Sequence, residues 1–332
     1  MVIAWHASII EWMPTAEETL ARLSAIPNVA VSLRVPLAGH TRFGIGGPAD
    51  YFVETSSEEG VAAAWIAARE SGLRAVVIGE GANLIVSDAG FRGVALRYRG
   101  AAIHVEGRRA TAQSGATLQS LVDVSIAHGL AGIETLAGIP GSVGAAVYGN
   151  AGAYGRAIGE RISCVRIFDG SAIRRVAAAE CEFQYRESVF KLRKDWLILS
   201  AALELEPGGA EALRKRAAEI LAVRNEKFPP AMKCAGSVFK NLLARDLPPE
   251  VAGQIPGAVV REGKIPAAWF LERVDAKGAE RGAILVADYH ANLLYNSGGG
   301  TAADLVALIA DLKERVRRRF GIELEEEVQF VG

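Results

Sequence analysis

The sequence predicts an α+β protein of two or three domains. Three observations carry that prediction. The chain has 332 residues, 50% of them apolar and 23% charged, enough to bury more than one core. Near its start Asp50–Glu54 reads as a strand, Ser57 caps an alanine-rich helix that stops at Gly72, and Ala75–Ile78 reads as a second strand. One strand–helix–strand unit is therefore expected. Further on, Glu206-Pro207-Gly208-Gly209 breaks the pattern ahead of a long helix, and we place the start of the next domain there.

The remaining elements follow from local signals. Thr15-Ala16-Glu17-Glu18 is a capping box that opens a short helix through Leu20 and Leu23. Val94–Tyr98, Ala102–Glu106 and Ala110–Ser114 read as strands, and Thr117 caps a helix that ends before Gly129. Cys164–Phe168 and Ala172–Val176 flank Asp169-Gly170, a strong hairpin signal. Leu197–Leu205 is another strand, and the helix after the Pro-Gly-Gly break runs to about Arg224. Pro266 stands at the start of a helix over Ala267–Val274, and Ile284–Tyr295 holds a strand or two. Leu305, Leu308, Ile309, Leu312 and Val316 set the buried stripe of a helix over Ala302–Phe320. Glu327–Val331 alternates as a last strand.

Charge and composition exclude several classes. The net charge is −1, so no global field favours nucleic acid or an acidic membrane, and an anionic ligand needs local positive groups. The basic last turns of the Ala302–Phe320 helix read as a solvated face that complements the helix dipole. Cys164, Cys181 and Cys234 are an odd number with no CxxC pair, which fits reduced thiols in a cytoplasmic protein and gives no metal site. The start, MVIAWHASIIEWMP, lacks a basic region and is interrupted by His6 and Glu11, so a signal peptide is not expected.

Two glycine stretches point to a ligand. GIPGSVGAAVYGNAGAYG at 138–155 is nearly uncharged, and Pro140 with its glycines breaks any spanning helix, for which about 20 apolar residues are needed. It reads as buried, tightly turning backbone. Such backbone either meets a flat ligand through main-chain groups or forms a packing seam. GEGANLIVSD at 79–88 follows directly on a strand, and successive N–H groups there would make either a phosphate nest or a plain turn. The dinucleotide fingerprint is incomplete, and the Lys-Ser/Thr pair of a P-loop is absent.

Further marks stand in order with these. They are HTRFGIGGP at 40–48, CEFQYRES at 181–188, Lys227-Phe228-Pro229, GSVFKN at 236–241, His290-Ala291-Asn292 and Glu327-Val328. Together they resemble the UDP-N-acetylenolpyruvoylglucosamine reductase (MurB) family, flavoenzymes of peptidoglycan precursor synthesis, from about residue 35 to the end of the chain. The resemblance implies a two-subdomain FAD-binding region of vanillyl-alcohol-oxidase (PCMH) type followed by an α+β substrate-binding domain. Mapped onto this chain, that gives an FAD-binding region at 35–207 split near 90, a substrate-binding domain at 208–325, and a terminal strand at 326–332 that returns to the active site. Residues 1–34 have no counterpart and are assigned to an N-terminal extension.

The same resemblance assigns residues. Gly79, Glu80, Gly81, Ala82, Asn83 and Leu84 are expected at the FAD pyrophosphate. Gly138, Ile139, Pro140, Gly141, Ser142, Gly144, Ala145, Asn150, Gly152, Ala153 and Tyr154 are expected along the dinucleotide. NADPH is the implied hydride source, and UDP-N-acetylglucosamine enolpyruvate the substrate. Arg186, Ser237 and Glu327 are the implied catalytic groups. An arginine fork suits the enolpyruvyl carboxylate, a serine hydroxyl can protonate a carbanion, and a glutamate is useful if it is protonated or orients a donor. Tyr185, Lys227, Lys240, Asn241, His290 and Asn292 are expected around the substrate, with no metal, no nucleic acid and a monomeric chain. The glycine stretches lie upstream of the last strand, so loss of 325–332 is expected to spare flavin binding.

The chain departs from the family pattern in three places. Ala82 stands where a serine is common. Leu242 replaces a proline after Lys240-Asn241, and the pattern resumes only near Glu262. Between Leu205 and Gly209 there is no room for the tyrosine-bearing loop of the longer family form.

Overall fold

A computed structural model describes residues 15–332, so the signal-peptide reading of 1–14 lies outside the described residues. The described residues begin with α1 (Ala16–Ser24), β1 (Val29–Pro36), β2 (Pro48–Thr55), α2 (Glu58–Glu70), β3 (Ala75–Val77), β4 (Leu84–Val86) and β5 (Phe91–Tyr98). Four strands form one sheet in the order β1-β2-β5-β3, with β1 antiparallel to β2 and the other pairings parallel. Both local caps are present. Thr15 and Glu18 form the reciprocal capping box of α1, and the Ser57 side chain accepts from the Gly60 N–H at the start of α2. α1 and α2 cover one face through Leu23, Val61 and Trp65, which pack on Val53, Val94 and Leu96. Leu37, Phe52, Val86, Phe91 and Val331 fill the other face.

A second, antiparallel sheet follows. Its order is Ile173–Ala177, Ile162–Phe168, Leu197–Glu204, β7 (Arg109–Gln113) and β6 (Ile103–Glu106). The Asp169-Gly170 hairpin forms as expected. The Asp169 carboxylate accepts from the Ala172 and Ser171 N–H groups, and these bonds with the Arg174 contact hold its pKa far below the usual range. α3 (Leu118–Ala127), α4 (Val143–Tyr148) and α5 (Val189–Leu192) pack near this sheet, and so does α6 (Ala210–Lys227), through Leu213, Ala217 and Ile220.

The third core gathers Val238, Phe239, Trp269, Phe270, Leu305 and Leu312. It is built from α7 (Pro249–Ala252), α8 (Ala267–Glu272), α9 (Ala302–Phe320) and a small sheet of Glu280–Arg281, Ile284–Val286 and Leu294–Asn296. The first unit plugs into it. Phe43, Ile45 and Ile85 belong to this third core, and the buried Asn296 amide donates to the Phe43 carbonyl at 2.9 Å. The terminal strand Gln329–Val331 then runs back to pair in parallel with β4.

Three boundaries expected from sequence move. A cut at 35 falls inside β1, which pairs with β2 along its length, and α1 packs in the same core, so 16–34 belongs to the first unit. A cut near 90 would remove β5 from its own sheet, and the break falls instead between Tyr98 and Ile103. A cut at 208 would strip α6 from the second core. The Pro-Gly-Gly segment is only the turn after Glu206–Pro207 pairs with Leu130–Ala131, and the third core begins after Lys227.

Candidate active site

The two glycine stretches meet. Gly79 and Gly81 have φ of +50° and +58°, the left-handed region that glycine alone enters at little cost. A Cβ on Gly81 would collide with the His40 carbonyl, and the Arg42 N–H donates to the Gly81 carbonyl at 3.1 Å, so the 40–47 loop packs directly under this turn. A Cβ on Gly79 would stand 3.3 Å from Ser142 Oγ, and one on Gly141 would stand 3.3 Å from Ala82 Cβ. Ser142 caps α4 by accepting from the Ala145 N–H at 3.3 Å, while Gly138 donates to the Gln119 side chain at 2.7 Å. The Gly144 N–H donates to the Ser114 carbonyl, and Ile139 and Pro140 complete the turn between these anchors. Among the described residues, the N–H groups of Gly79, Glu80, Ala82 and Asn83 have no acceptor. That is the donor set a pyrophosphate needs, on glycine-rich backbone, so the residues present fit FAD. The Glu80 carboxylate is turned to Arg97 at 2.9 Å, and Leu84 opens β4.

The second half of the long stretch does different work. Asn150 is buried. Its amide donates to the Gln184 carbonyl at 2.7 Å and accepts from the Gly159 N–H at 3.0 Å. One amide N–H and one lone pair are thereby committed to the turn before Arg186 and to Gly159. The Gly152 carbonyl accepts from Arg186 Nη2 at 2.9 Å. Gly152–Ala153 pairs with Arg156–Ala157, leaving Tyr154 exposed at the hairpin tip with φ +51°.

Arg186 lies in a turn closed by reciprocal bonds between Gln184 and Glu187, with φ +58°. Its Nε is 2.7 Å from Glu327 Oε1, an ion contact whose angle does not make a hydrogen bond. The contact sets the Glu327 carboxylate directly against the Arg186 guanidinium. The three consecutive glutamates separate cleanly by partner. Glu325 pairs with Lys240, Glu326 with Lys313 at 2.9 Å, and Glu327 with Arg186. The Glu327 N–H donates to the Val238 carbonyl at 2.7 Å, and Phe239 bridges to Glu326, so the segment carrying Ser237 runs antiparallel to the one carrying Glu327. Ser237 is half-buried, and among the described residues its hydroxyl has no partner.

The expected substrate residues divide into two groups. Tyr185 lies between the Arg186 and Lys264 cations, at 5.4 and 4.9 Å, and its hydroxyl accepts from the Asn241 N–H at 3.2 Å. Burial pushes its pKa up. Asn241 Oδ1 accepts from Ala267 N–H at 3.3 Å. A cavity of about 1200 Å³ opens beside Tyr185 and Asn241, walled by Leu242–Pro248 and Glu325. Lys227 stands over the Phe228 ring at 5.1 Å, and Arg224 stands over the same ring at 5.6 Å. Partial burial, with the charges of Arg224 and Arg261, lowers the Lys227 pKa. Asn292 and Lys240 are bonded within the protein, and Lys240 also borders the cavity. Asn292 is buried and spends both ends of its amide on the Phe239 main chain, at 2.9 Å each. Lys240 is spent on carboxylates. His290 accepts from the Asn292 N–H at 3.2 Å and packs 6.0 Å from Phe228, and burial pulls its pKa to about 4.

Sequence reasoning missed Arg224. Its Nε is buried without a hydrogen-bond partner, and a Cβ on Gly138 would lie 3.4 Å from it. Burial lowers its pKa as well. The signal was available, because Arg224 precedes Lys227 by one helical turn and shares its face.

Residues 228–331 match the family described as UDP-N-acetylenolpyruvoylglucosamine reductase, C-terminal domain, and residues 49–171 match the FAD binding domain family. The UDP-N-acetylenolpyruvoylglucosamine reductase of Solibacter usitatus (strain Ellin6076) is 62% identical over 311 residues, 94% of this chain and 100% of that protein. The enzyme of the same name from Rubrobacter xylanophilus is 38% identical over 301 residues, 90% of this chain and 94% of its own. Among solved structures, the crystal structure of the Thermus caldophilus reductase (MurB) aligns with TM-score 0.72 and 27% identity, covering 92% of this chain and 100% of that one. A glycine cradle suited to FAD and an arginine–glutamate pair beside it thus sit in a chain that, on these matches, is a flavin-dependent oxidoreductase and belongs to the UDP-N-acetylenolpyruvoylglucosamine reductase family.

Proposed function

We propose that this chain reduces UDP-N-acetylglucosamine enolpyruvate to UDP-N-acetylmuramate with NADPH, in peptidoglycan precursor synthesis. The observation that carries the reading is the 2.7 Å contact of Arg186 with Glu327, next to the glycine cradle and beside the segment of Ser237, whose hydroxyl has no partner among the described residues. When bound, FAD would supply the hydride, received from NADPH, to one carbon of the enolpyruvyl double bond. The protein's own groups handle the charge that this leaves on the neighbouring carbon and its carboxylate.

Arg186 is held by Glu327 on one side and the Gly152 carbonyl on the other, so its remaining N–H groups are aimed before substrate arrives. A fixed guanidinium stabilises an enolate without reorganising as charge develops. The Ser237 hydroxyl gives its proton to the carbanion carbon, and solvent restores it. A weak acid suffices because the base is strong and the geometry is set by main-chain bonds. Lys227, Arg224 and Asn241 hold the diphosphate and sugar, supplying the local positive charge that a net charge of −1 does not. Gly79–Asn83 and Gly138–Ala145 hold FAD.

The test is direct. The purified protein is mixed anaerobically with NADPH and then with the enolpyruvyl sugar, and flavin absorbance is followed. Bleaching on the first addition and recovery on the second, with UDP-N-acetylmuramate as product, supports the reading. Bleaching that only oxygen reverses would instead assign an oxidase.

A further inference from the structure

We infer that Lys240 is a positioning residue that ties together the three segments carrying Arg186, Ser237 and Glu327, and that it acts on the reaction without touching substrate. The inference rests on the reading of those three residues given above.

Lys240 is only 8% exposed, and a buried ammonium must be paired. Its Nζ donates to Glu187 Oε1 at 2.5 Å and also to Glu325 Oε1. Glu187 is the residue after Arg186, and Glu325 is two residues before Glu327. Lys240 itself lies on the extended segment that begins at Ser237. One ammonium therefore joins the arginine turn, the serine segment and the glutamate segment. The main chain repeats the link, since the Lys240 N–H donates to the Glu325 carbonyl at 2.9 Å. Lys191 extends it, with Nζ donating to the Arg186 carbonyl at 2.5 Å and to Glu187 Oε1 at 3.1 Å.

The arginine turn needs such a tie. Arg186 is a non-glycine residue at φ +58°, a conformation that persists only when its surroundings impose it. The 2.7 Å contact to Glu327 joins side chains from two core units, so a small drift of either segment would open it. Burial alone would lower the Lys240 pKa, but the hydrogen bonds it donates to Glu187 and Glu325 outweigh it and raise it; burial would raise that of Glu187, but the bonds it accepts from Lys240 and Lys191 lower it. Both directions fit an ammonium held between two carboxylates. These bonds use two of the three ammonium N–H groups and commit the charge to the two carboxylates, at the border of the cavity beside Tyr185.

The experiment compares Lys240→Met, Lys240→Arg, the Glu187→Gln/Glu325→Gln double variant and the triple variant with Met. Turnover of the enolpyruvyl sugar, its KM, its Kd for oxidised enzyme and FAD content are measured. Wild-type turnover is established first, so failure of the functional reading shows there and not in the variants. We expect Lys240→Met to keep FAD and substrate Kd within about 3-fold while kcat falls about 10-fold or more, a loss characteristic of misplaced catalytic groups. Lys240→Arg should recover most of kcat, because a guanidinium can bridge two carboxylates. The double variant should reproduce the kcat loss, and adding Lys240→Met to it should cost nothing more. A rise in Kd with kcat kept, or a further loss on adding Met to the double variant, would make Lys240 a direct ligand of substrate and overturn the inference. Unchanged kcat in either Lys240→Met or the double variant would overturn it too. If Lys240→Met does not fold, the double variant alone decides by its kcat and Kd.

Discussion

Asn83 donates its side-chain N–H to the Glu327 carbonyl at 2.8 Å, and its own carbonyl accepts from the Gln329 N–H at 2.9 Å. The end of the glycine turn and the segment that carries Glu327 are thus one hydrogen-bonded piece. This changes what truncation should do. The terminal strand pairs with β4, Val331 accepts from Ser87 N–H, and Gly332 accepts from Arg74. Removing 325–332 is therefore expected to release FAD as well as abolish turnover, contrary to what chain order alone suggests. The point variant Asn83→Ala leaves one half-buried carbonyl short of a donor, a cost of about 1–3 kcal/mol. It should weaken FAD retention and lower kcat together, read by flavin content after gel filtration and by steady-state rate. A drop in kcat with FAD fully retained would uncouple the two.

Arg224, Lys227 and Arg261 form a group of cations that act on one another electrostatically, and no carboxylate partner is found for them among the described residues. We expect them to receive a diphosphate, which both NADPH and the nucleotide sugar carry. A charge-assisted hydrogen bond is worth about 1.5–3 kcal/mol, so Arg261→Ser should raise the KM of each by roughly 10- to 100-fold with little change in kcat. The salt dependence of KM should become shallower, because one screened attraction is gone. An unchanged salt slope would place Arg261 outside the anion site.

His290 makes stability depend on pH with a definite sign. Burial, reinforced by Lys227, lowers its pKa from 6.5 to about 4. Between those values the unfolded chain binds a proton that the folded one refuses. Its contribution is fully present above pH 6.5, shrinks as pH falls, and is gone below about pH 4. A displacement of this size corresponds to at most about 3 kcal/mol. His40 is shifted in the same direction, also chiefly by burial. Urea midpoints at pH 7 and pH 4.5 should differ less in His290→Gln than in wild type. Equal differences would assign the acid sensitivity to other groups.

What the sequence made legible was local. Caps at Thr15, Ser57 and Thr117, the Asp169-Gly170 hairpin and the α9 stripe depend on residues a few positions apart, and all form where expected. β1 escaped notice although Val29, Val31, Leu33 and Val35 alternate. It is an edge strand with much of both faces open, and Leu33 is half exposed, so little buried contrast marks it. The site residues were named by motif, but motif cannot say what a side chain faces. Lys240 meets Glu325 across 85 positions, and Asn292 meets Phe239 across 53. Whether a lysine or asparagine serves a ligand or another segment is decided by those distant contacts, which periodicity does not encode.

Ser237→Ala should separate the two halves of turnover. Oxidation of NADPH requires no proton on a substrate carbon, so the hydroxyl has no part in it. Reduction of the enolpyruvyl group leaves a carbanion that must then wait for water. General-acid catalysis typically contributes about 10²–10⁴-fold, or roughly 3–5 kcal/mol of barrier. In stopped flow the variant should lose flavin absorbance with NADPH at the wild-type rate and regain it slowly, or not at all, when substrate is added. Substrate Kd should hold, because Arg186, Lys227 and Asn241 are untouched and the hydroxyl spends no hydrogen bond within the described chain. Cavity effects should be small, since the change removes one oxygen from a half-buried position. Equal losses in both halves would mean that Ser237 shapes the cleft without acting as the acid. No loss in either would send the search for the proton donor to the hydroxyl of Tyr185, whose ring lies 5.4 Å from the Arg186 guanidinium and which accepts a hydrogen bond from Asn241.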